Sequence, residues 1–516
     1  MNINYIFNLG VMFAFTFSQW SDDPGNPQML GSGVQPQVEI TSDGGVYFAW
    51  LTDGNYHVYL QRLSQQGITQ FTDGGMLISD NNNSSWIAVF HLNLTVDNED
   101  NAIITLVDQR TGPWEVYAYK IATDGTMLWG AEGLTLSASG IDNISPRLAV
   151  LPDNSIVVTW SKNYSSIIAQ RISADGDFLW GDGMAINNLT ASLLSPQPII
   201  SSNGHLLIQW ISQTGSIWAA ESKLYLQKYA LDGSSIWNEP TVTVGPVVFP
   251  MGNWLQQLVE DGNDASFSAW TEMSGNVQSA VIQHITEDGN LSWVDGVELS
   301  GNNSNFRMTP HIVVAENSQE LMAVWNESNG SQSQRGVYAQ RIDGSGSRLW
   351  GMNGIAVIPL NNDYDYLDLS IVGMEEEMIT AFIQQSPNMN SDVYATRLDA
   401  DGNTTWSDGN VVITNSDSPK SDMMVGKGQG CVFITWTEEG NVYAHCLKEN
   451  GTLGPPDASI TGDINSDGNI DILDVVMLVN YILSPDTSEL EGADINNDDT
   501  INILDVVALV SIIFGN

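Results

Sequence analysis

The sequence predicts a mainly β protein of eight repeats, followed by a small α-helical domain that binds calcium. A strand-like unit with a basic residue near its end recurs along the chain, as in VYLQRL at 58–63 and YAQRI at 338–342. Turns rich in Gly, Asp and Asn separate the strands of each repeat, which is the pattern of short antiparallel strands. Near the C-terminus, residues 463–474 (DINSDGNIDILD) and 494–505 (DINNDDTINILD) carry two copies of a calcium-loop pattern.

The repeat has the size of one blade of a β-propeller. Its recurring position holds Arg62, Lys120, Arg171, Lys228, His284, Arg341, Arg397 and, in the eighth copy, Cys446. Four antiparallel strands per unit, repeated eight times, predict an eight-bladed β-propeller over residues 19–455. The last copy lacks its fourth strand, and residues 19–30 are predicted to supply it and close the ring, which hides the sheet edges. Two smaller domains are the alternative.

The composition supports this class and excludes others. A chain of 516 residues is too long for one ordinary compact core. With 42% hydrophobic residues and a mean hydropathy of −0.09, it is neither a disordered chain nor a multi-span membrane protein. The 16 Lys and Arg against 61 Asp and Glu give a formal net charge of −45. Such a surface repels nucleic acid and anionic membranes, so we expect divalent cations, uncharged ligands or basic proteins as partners.

The first residues have the character of an export signal. Residues 1–18 are apolar from Tyr5 to Phe17, so we expect a signal peptide cleaved near Ser18 and a secreted protein. An apolar first strand is the alternative interpretation. No other run approaches 18 apolar residues, so we expect no membrane span in the mature chain.

The two cysteines, Cys431 and Cys446, lie in strand-like runs joined by a turn around Glu438–Gly440. This spacing places them on one hairpin, and an exported protein permits a disulfide between them. A shift of one residue in strand register would instead separate them. Both outcomes are consistent with the sequence.

Most of the 17 tryptophans belong to the repeat. They recur once per blade, at the end of the second strand or at the start of the fourth, and are predicted to pack between sheets. The recurring basic residue is assigned to the framework too, which removes His284 as a catalytic candidate.

Four tryptophans fall outside the period and are the predicted ligand-binding residues: Trp86, Trp114, Trp218 and Trp254. They lie in second-to-third loops or in blade-to-blade connections, which emerge at the same end of an up-and-down blade. All four are therefore expected on one face of the disc. Exposed aromatic rings suit flat ligands such as the faces of sugars, and loops on a rigid scaffold often carry function. The alternative is that these long loops bury their own aromatic rings.

The two loops beyond the linker at 456–460 have oxygen ligands at positions 1, 3, 5, 7, 9 and 12, the spacing of a calcium loop. The ligands are Asp463, Asn465, Asp467, Asn469, Asp471 and Asp474 in the first loop, and Asp494, Asn496, Asp498, Thr500, Asn502 and Asp505 in the second. Position 6 needs a sharp turn, which Gly468 supplies in the first loop. Asp499 supplies it in the second at a cost of about 1–2 kcal/mol. We therefore predict two calcium ions, with the second site weaker.

Each loop runs into one apolar helix, ILDVVMLVNYIL or ILDVVALVSIIF. This arrangement over residues 461–516 resembles the type I dockerin domain. The resemblance implies two bound calcium ions and docking onto cohesin modules, which attach secreted proteins, many of them polysaccharide-degrading enzymes, to a scaffold or cell surface. Partner docking is expected at positions 10 and 11 of the loops: Ile472, Leu473, Ile503 and Leu504. Cellulosomal dockerins often carry hydroxyl groups there, so the docking is apolar, directed to a different partner, or absent.

Two functions are consistent with the sequence. The first is a secreted, non-catalytic binding or adhesion protein, whose propeller recognises a glycan or a protein and whose C-terminal domain docks onto a cohesin-like or surface protein. The second is a secreted polysaccharide-degrading enzyme, such as a glycoside hydrolase, with catalytic carboxylates in the propeller mouth. The sequence has no G-x-S-x-G, P-loop or H-E-x-x-H motif, so no catalytic residue is predicted. We favour the first function.

Overall fold

The chain divides into two compact units, Met1–Pro455 and Pro456–Asn516, and each is described by itself. The computed structural model describes residues 20–81, 83, 92–137, 140–188, 190–215, 221–242, 256–274, 277–315, 320–456, 462, 464, 470, 472–483, 492–496 and 500–514. The predicted signal peptide lies outside these residues. Within them, no helix is long and apolar enough to cross a membrane.

The first unit is an eight-bladed propeller of four-stranded antiparallel sheets, as predicted. Strand β1 (Gln28–Ser32) precedes blade one, which has β2 (Val34–Ile40), β3 (Val46–Leu51), β4 (Val58–Leu63) and β5 (Met76–Ser79). Blade two has β6 (Asn93–Val96), β7 (Ala102–Asp108), β8 (Glu115–Ile121) and β9 (Leu134–Thr135), and blade three has β10 (Asn143–Val150), β11 (Ile156–Lys162), β12 (Ser166–Ile172) and β13 (Met184–Asn187). Blade four has β14 (Ser192–Ile200), β15 (Leu206–Thr214), β16 (Glu221–Tyr229) and β17 (Thr241–Val242).

The remaining blades repeat the same order. Blade five has β18 (Gln256–Glu260), β19 (Ser266–Ser274), β20 (Val277–Ile285) and β21 (Val297–Glu298), and blade six has β22 (Phe306–Val314), β23 (Leu321–Ser328), β24 (Arg335–Ile342) and β25 (Ile355–Asn361). Blade seven has β26 (Asp365–Met374), β27 (Glu377–Gln385), β28 (Ser391–Leu398) and β29 (Asn410–Thr414), and blade eight has β30 (Lys420–Lys427), β31 (Cys431–Glu438) and β32 (Asn441–Lys448).

The N-terminal strand closes the ring. Strand β1 pairs antiparallel with β32 and becomes the fourth strand of blade eight, which confirms the predicted closure. The first strand of every blade contacts the first strands of the blades on either side. These eight innermost strands therefore surround a central channel, and the fourth strands form the outer rim.

An aromatic ring joins each blade to the next. The eight rings are Trp20, Phe71, Trp129, Trp180, Trp237, Trp293, Trp350 and Trp406, and they pack in that order on Gly67, Gly125, Gly176, Gly233, Gly289, Gly346, Gly402 and Gly451. The indole of Trp350, for example, donates a 2.9 Å hydrogen bond to the carbonyl of Ala400 in blade seven. Trp20 makes the equivalent bond to the Gln65 carbonyl, 3.0 Å, and so links blade eight to blade one.

Two constraints require glycine in the turn at this contact: the small space beside the ring and the left-handed backbone conformation. Gly289 has φ +81°, a left-handed conformation that costs a residue with a side chain about 1–2 kcal/mol. A Cβ at this position would lie 2.8 Å from the Trp237 ring, closer than atoms pack. The contact therefore selects glycine in the turn and an aromatic ring in the preceding blade.

The recurring basic residues are part of the framework. Lys120 pairs with Asp97 at 2.8 Å, and His284 pairs with Asp261 at 2.9 Å. Each acid stands in the turn between the first and second strands of the same blade. In blade eight the position belongs to Cys446, which is joined to Cys431 in the structure with their Cα atoms 5.9 Å apart.

The second unit contains two helices, α1 (Ile472–Leu483) and α2 (Ile503–Phe514). Leu478 of α1 and Leu509 of α2 are fully buried in one small core, together with Ile464 and Ile495 of the loops. The backbone N–H of Gly462 donates a 3.2 Å hydrogen bond to the carbonyl of Gly492, so the two loop–helix halves also pair through their backbones.

Replacing Trp350 with alanine tests the inter-blade contact. Trp350→Ala removes a buried ring and a hydrogen bond, so the free energy of unfolding should fall by about 3–5 kcal/mol. Urea unfolding followed by tryptophan fluorescence measures the change. The neighbouring Leu349 is 46% exposed, and Leu349→Ala should change stability by less than about 0.5 kcal/mol. Equal effects of the two substitutions would contradict the proposed role of the ring.

Candidate functional site

The predicted aromatic face is only partly described by the structure. Trp86, Trp218 and Trp254 lie outside the described residues. Trp114 is described, and the expectation of an exposed ring is wrong for it: the residue is 8% exposed and packs in the core between blades two and three. Its carbonyl accepts a 2.8 Å hydrogen bond from the N–H of Asn143, so the loop turns inward and buries its ring. Trp114 therefore has no face on which a sugar could stack.

Two tyrosines of the same loop end are open to solvent. Tyr164 is 43% exposed and Tyr364 is 40% exposed. Tyr164 follows the second strand of blade three, and Tyr364 precedes the first strand of blade seven. Both aromatic side chains could contact a flat ligand at this end.

The mouth of the central channel is formed by a recurring bulge that sequence reasoning missed. In six innermost strands the register shifts near the start, and one residue adopts a left-handed conformation with φ between 47° and 56°. These residues are Gln35, Ser145, Ser195, Thr309, Asp368 and Asp422. In four of the six, proline follows, as in ISPR and LSPQ. The repeated X-Pro pair was the available signal, because proline interrupts strand pairing and favours bulges.

Two of the bulge residues are neighbouring acids. Asp368 of blade seven and Asp422 of blade eight occupy equivalent positions on adjacent innermost strands. An Oδ2 atom of Asp368 accepts a 3.2 Å hydrogen bond from the N–H of Met423. The surrounding protein raises the pKa of Asp368, and the charge of Asp422 raises it further. The channel mouth thus holds two carboxylates, and the pKa of Asp368 is raised above its usual value.

The second unit brings the predicted position-12 ligands into equivalent places. Asp474 and Asp505 are fully buried at the first turns of α1 and α2. Oδ1 of Asp474 accepts a 2.8 Å hydrogen bond from the N–H of Ile464, and Oδ1 of Asp505 accepts a 2.8 Å bond from the N–H of Ile495. Each carboxylate therefore links the first turn of its helix to the start of its own loop. This is the place that a calcium loop requires for its oxygen ligand at position 12.

The structure describes more of the remaining predicted ligands in the second loop than in the first. Asp463, Asn465, Asp467, Asn469, Asp471 and Asp498 lie outside the described residues. In the second loop, Asn502 Oδ1 accepts a 2.8 Å hydrogen bond from the N–H of Leu504, and its amide donates to the Thr500 carbonyl at 2.9 Å. Asp494 and Asn496 stand at the start of that loop. This set consists of hard oxygen donors with no basic residue between 461 and 516, and it fits calcium.

A comparison with protein families decides what this unit is. Residues 461–513 match the family model described as the dockerin type I domain. The C-terminal unit is a type I dockerin. Dockerins of this type typically bind calcium and dock onto cohesins, and proteins that carry them are usually extracellular components of cellulosome-type assemblies.

The dockerin exposes apolar side chains at the same positions of its two halves. Ile472 and Leu473 are 65% and 55% exposed, and Ile503 and Leu504 are 61% and 56% exposed. Further along the helices, Val476 and Val507 are exposed as well. The two halves therefore present matching apolar surfaces at the predicted docking positions.

The propeller is similar in fold to several solved structures at low sequence identity. No curated protein sequence matches. Among solved structures, a polysaccharide lyase of family PL25, an ulvan lyase, is similar with a TM-score of 0.48 and 9% identity over 82% of this chain and 96% of that chain. The WD40 domain of SCAP from fission yeast has a TM-score of 0.42 and 10% identity over 83% and 94%. The GH93 α-L-arabinofuranosidase of Fusarium graminearum has a TM-score of 0.32 and 12% identity over 59% and 92%. At these scores the likenesses carry no argument about activity.

Proposed function

We propose that this protein is a secreted, non-catalytic binding protein whose dockerin attaches it, in the presence of calcium, to a cohesin-like partner. The observation that carries the proposal is the dockerin itself, with Asp474 and Asp505 buried in equivalent contacts. The rigid propeller then serves as the recognition module, with a glycan or a protein as ligand. Its loop end supports this role, because Tyr164 and Tyr364 are exposed there on a closed scaffold.

The dockerin is proposed to bind two calcium ions with unequal affinity. Asp499 replaces glycine at the sharp turn of the second loop, and a left-handed conformation there costs about 1–2 kcal/mol, so the second site should bind about 5–30-fold more weakly. Calorimetric titration of the calcium-free full chain should resolve two sites. Asp505→Asn should remove the weaker site and Asp474→Asn the tighter one.

The exposed acid Asp401, in a propeller turn, provides the matched control for this titration. Asp401→Asn makes the same chemical change outside the dockerin and should leave both calcium sites intact. A titration with two sites of equal affinity would contradict the role given to Asp499.

Docking is proposed to use the apolar surfaces at the helix starts. Ile472→Asp or Ile503→Asp alone should leave binding to an immobilised cohesin measurable, because the other half still offers an equivalent surface. The double variant should lose binding, since a charge would be buried in each apolar contact. Surface plasmon resonance of the full chain, with calcium and with chelator, measures this.

Val294→Asp is the control for docking, because Val294 is 86% exposed and belongs to the propeller. It should bind like the unsubstituted chain. If the chain binds calcium but no cohesin, or if the double variant binds unchanged, the dockerin is a calcium-stabilised tail and the attachment proposal fails.

The alternative function is a polysaccharide-degrading enzyme, and the acids Asp368 and Asp422 are the observation that favours it. A glycosidase needs two carboxylates, one of them with a raised pKa, on either side of the scissile bond. The raised pKa of Asp368 would make it the acid and Asp422 the base or nucleophile. A panel of soluble polysaccharides should then release reducing sugar, and Asp368→Asn should reduce the rate at least about 100-fold.

Retention of a glycan without reducing-sugar release supports the binding function instead. Asp408→Asn, an exposed acid on the outer edge of blade seven, is the control for the enzyme assay. Release that Asp368→Asn leaves unchanged would show that the two mouth acids are not catalytic.

A further inference from the structure

Each innermost strand carries one residue at an equivalent position beside the channel. The position lies four residues before the turn that joins the first and second strands, as Gln37 does before Thr41 and Asn93 does before Asp97. The eight residues are Gln37, Asn93, Arg147, Gln197, Gln257, His311, Ser370 and Met424. Neighbouring blades cover these strands on both sides, yet every one of the eight residues keeps some exposure. The exposed part of each side chain therefore faces the channel.

In two blades this residue has a structural task. The Oδ1 atom of Asn93 in blade two accepts a 3.1 Å hydrogen bond from the N–H of Leu148 in blade three. The Oε1 atom of Gln257 in blade five accepts a 2.7 Å bond from the N–H of Ile312 in blade six. A side-chain oxygen of one blade thus satisfies a backbone N–H of the next blade, which lies beside the channel and would otherwise lack a partner.

At the contact between blades three and four neither end of such a bond is present. The residue of blade four that corresponds to Leu148 and Ile312 is Pro198, which has no N–H to donate. The residue of blade three that would accept the bond is Arg147, and a guanidinium cannot accept a hydrogen bond. The Arg147 side chain therefore does not make this bond to blade four.

Arg147 also lacks an acidic partner. Its Nη1 atom donates a 3.0 Å hydrogen bond to the carbonyl of Pro146, and its Nε and Nη2 atoms have no partner among the described residues. Seven of the other eight arginines form ion pairs: Arg62, Arg110, Arg171, Arg307, Arg335, Arg341 and Arg397. The remaining one, Arg348, donates to the carbonyl of Glu298. Burial lowers the pKa of Arg147 to about 10, so the side chain is still positively charged at neutral pH.

A second donor lies beside the backbone that follows Arg147. Because Asn93 Oδ1 accepts from the N–H of Leu148, the amide is fixed beside the residue that follows Arg147. The Nδ2 atom of Asn93 then points away from that bond, and it has no partner within the described part of the chain. A desolvated cation is costly unless a negative group pairs with it, and in a chain of net charge −45 an unpaired arginine stands out.

We propose that Arg147 and the Asn93 amide form an oxyanion site in the central channel, which binds the carboxylate or sulfate group of a small ligand. The guanidinium supplies two parallel N–H groups that match the two oxygens of such a group. The carboxyl of Glu39 lies further along the channel in blade one. Burial raises its pKa to about 7, so below neutral pH it is mostly uncharged and repels a bound anion only weakly. The site needs neither calcium nor cohesin, so it stands apart from the docking proposal.

Calorimetric titration of the full chain at pH 6 and constant ionic strength tests the site. Sodium sulfate and sodium glucuronate should bind, and glucose should not. Arg147→Gln should weaken anion binding about tenfold or more, because it removes the charged partner. Arg335→Gln changes an exposed arginine that is not one of the eight channel residues, and this variant should bind as the unsubstituted chain does. Binding of glucuronate without sulfate would assign the site to a sugar acid, and binding of both would assign it to oxyanions in general.

A measurement on the unsubstituted protein keeps the proposal testable if Arg147→Gln fails to fold. Crystals soaked in sodium selenate should show an anomalous selenium peak within hydrogen-bond distance of Arg147 Nε or Nη2. The absence of this peak, the absence of anion binding at about 10 mM, or equal binding by folded Arg147→Gln would each overturn the proposal.

Discussion

The contact between an aromatic ring of one blade and the glycine turn of the next is the constraint on which the propeller depends. Each sheet has two faces to bury, and only the adjacent sheets can cover them. The indole of Trp406, for instance, lies 2.9 Å from where a Cβ of Gly451 would stand and donates to the carbonyl of Glu449 at 2.8 Å. The ring and the glycine recur at all eight contacts and the indole–carbonyl bond at six of them, so nearly the same geometry repeats around the propeller and returns to its start. Trp20 makes the final contact, and the N-terminal strand must therefore pair with the last blade.

Functional candidates arise where the repeat is broken, because a position that keeps the repeat is already explained by the framework. Among the six bulges in the described part of the chain, an acid occurs in two adjacent blades, as Asp368 and Asp422. The change from an acceptor to Arg147 coincides with the change from an N–H to Pro198 in the next blade. At this contact neither the acceptor nor the N–H is present, so their loss leaves no polar group of that bond without a partner.

Sequence periodicity predicted the number of blades, their strand order and the closure by residues 19–30, because these follow from the spacing of turns and alternating residues. It also assigned His284 correctly to the framework, where the residue pairs with Asp261. Periodicity does not show how deeply a side chain is buried. For that reason Trp114 was expected on the surface, although its loop folds inward. It also missed Phe71, which fills the tryptophan position in blade one, because a search for indoles does not find a phenyl ring.

The bulges at the channel mouth depend on backbone conformation, which the alternation of polar and apolar residues does not show. A left-handed residue such as Ser145 is compatible with many side chains, and only the following Pro146 marks it in the sequence. The dockerin is the opposite case. Its loops carry oxygen-bearing residues at the spacing that calcium loops require, so that spacing could be read directly from the sequence.

The acidic residues of the dockerin have a structural role beside the proposed metal-binding one. Asp474 and Asp505 hold the loop starts to the helix starts through backbone N–H groups, so the oxygen atoms that would bind the metal are also part of the small core's framework. Eleven acidic residues without a single Lys or Arg between 461 and 516 would repel one another when these loops close. A divalent ion bound to the loops would reduce that repulsion close to the core that Leu478 and Leu509 form. If this dockerin binds calcium as proposed, metal binding and helix packing would be one equilibrium, and calcium concentration would control whether the apolar surfaces at Ile472 and Ile503 are held in the geometry a partner can bind.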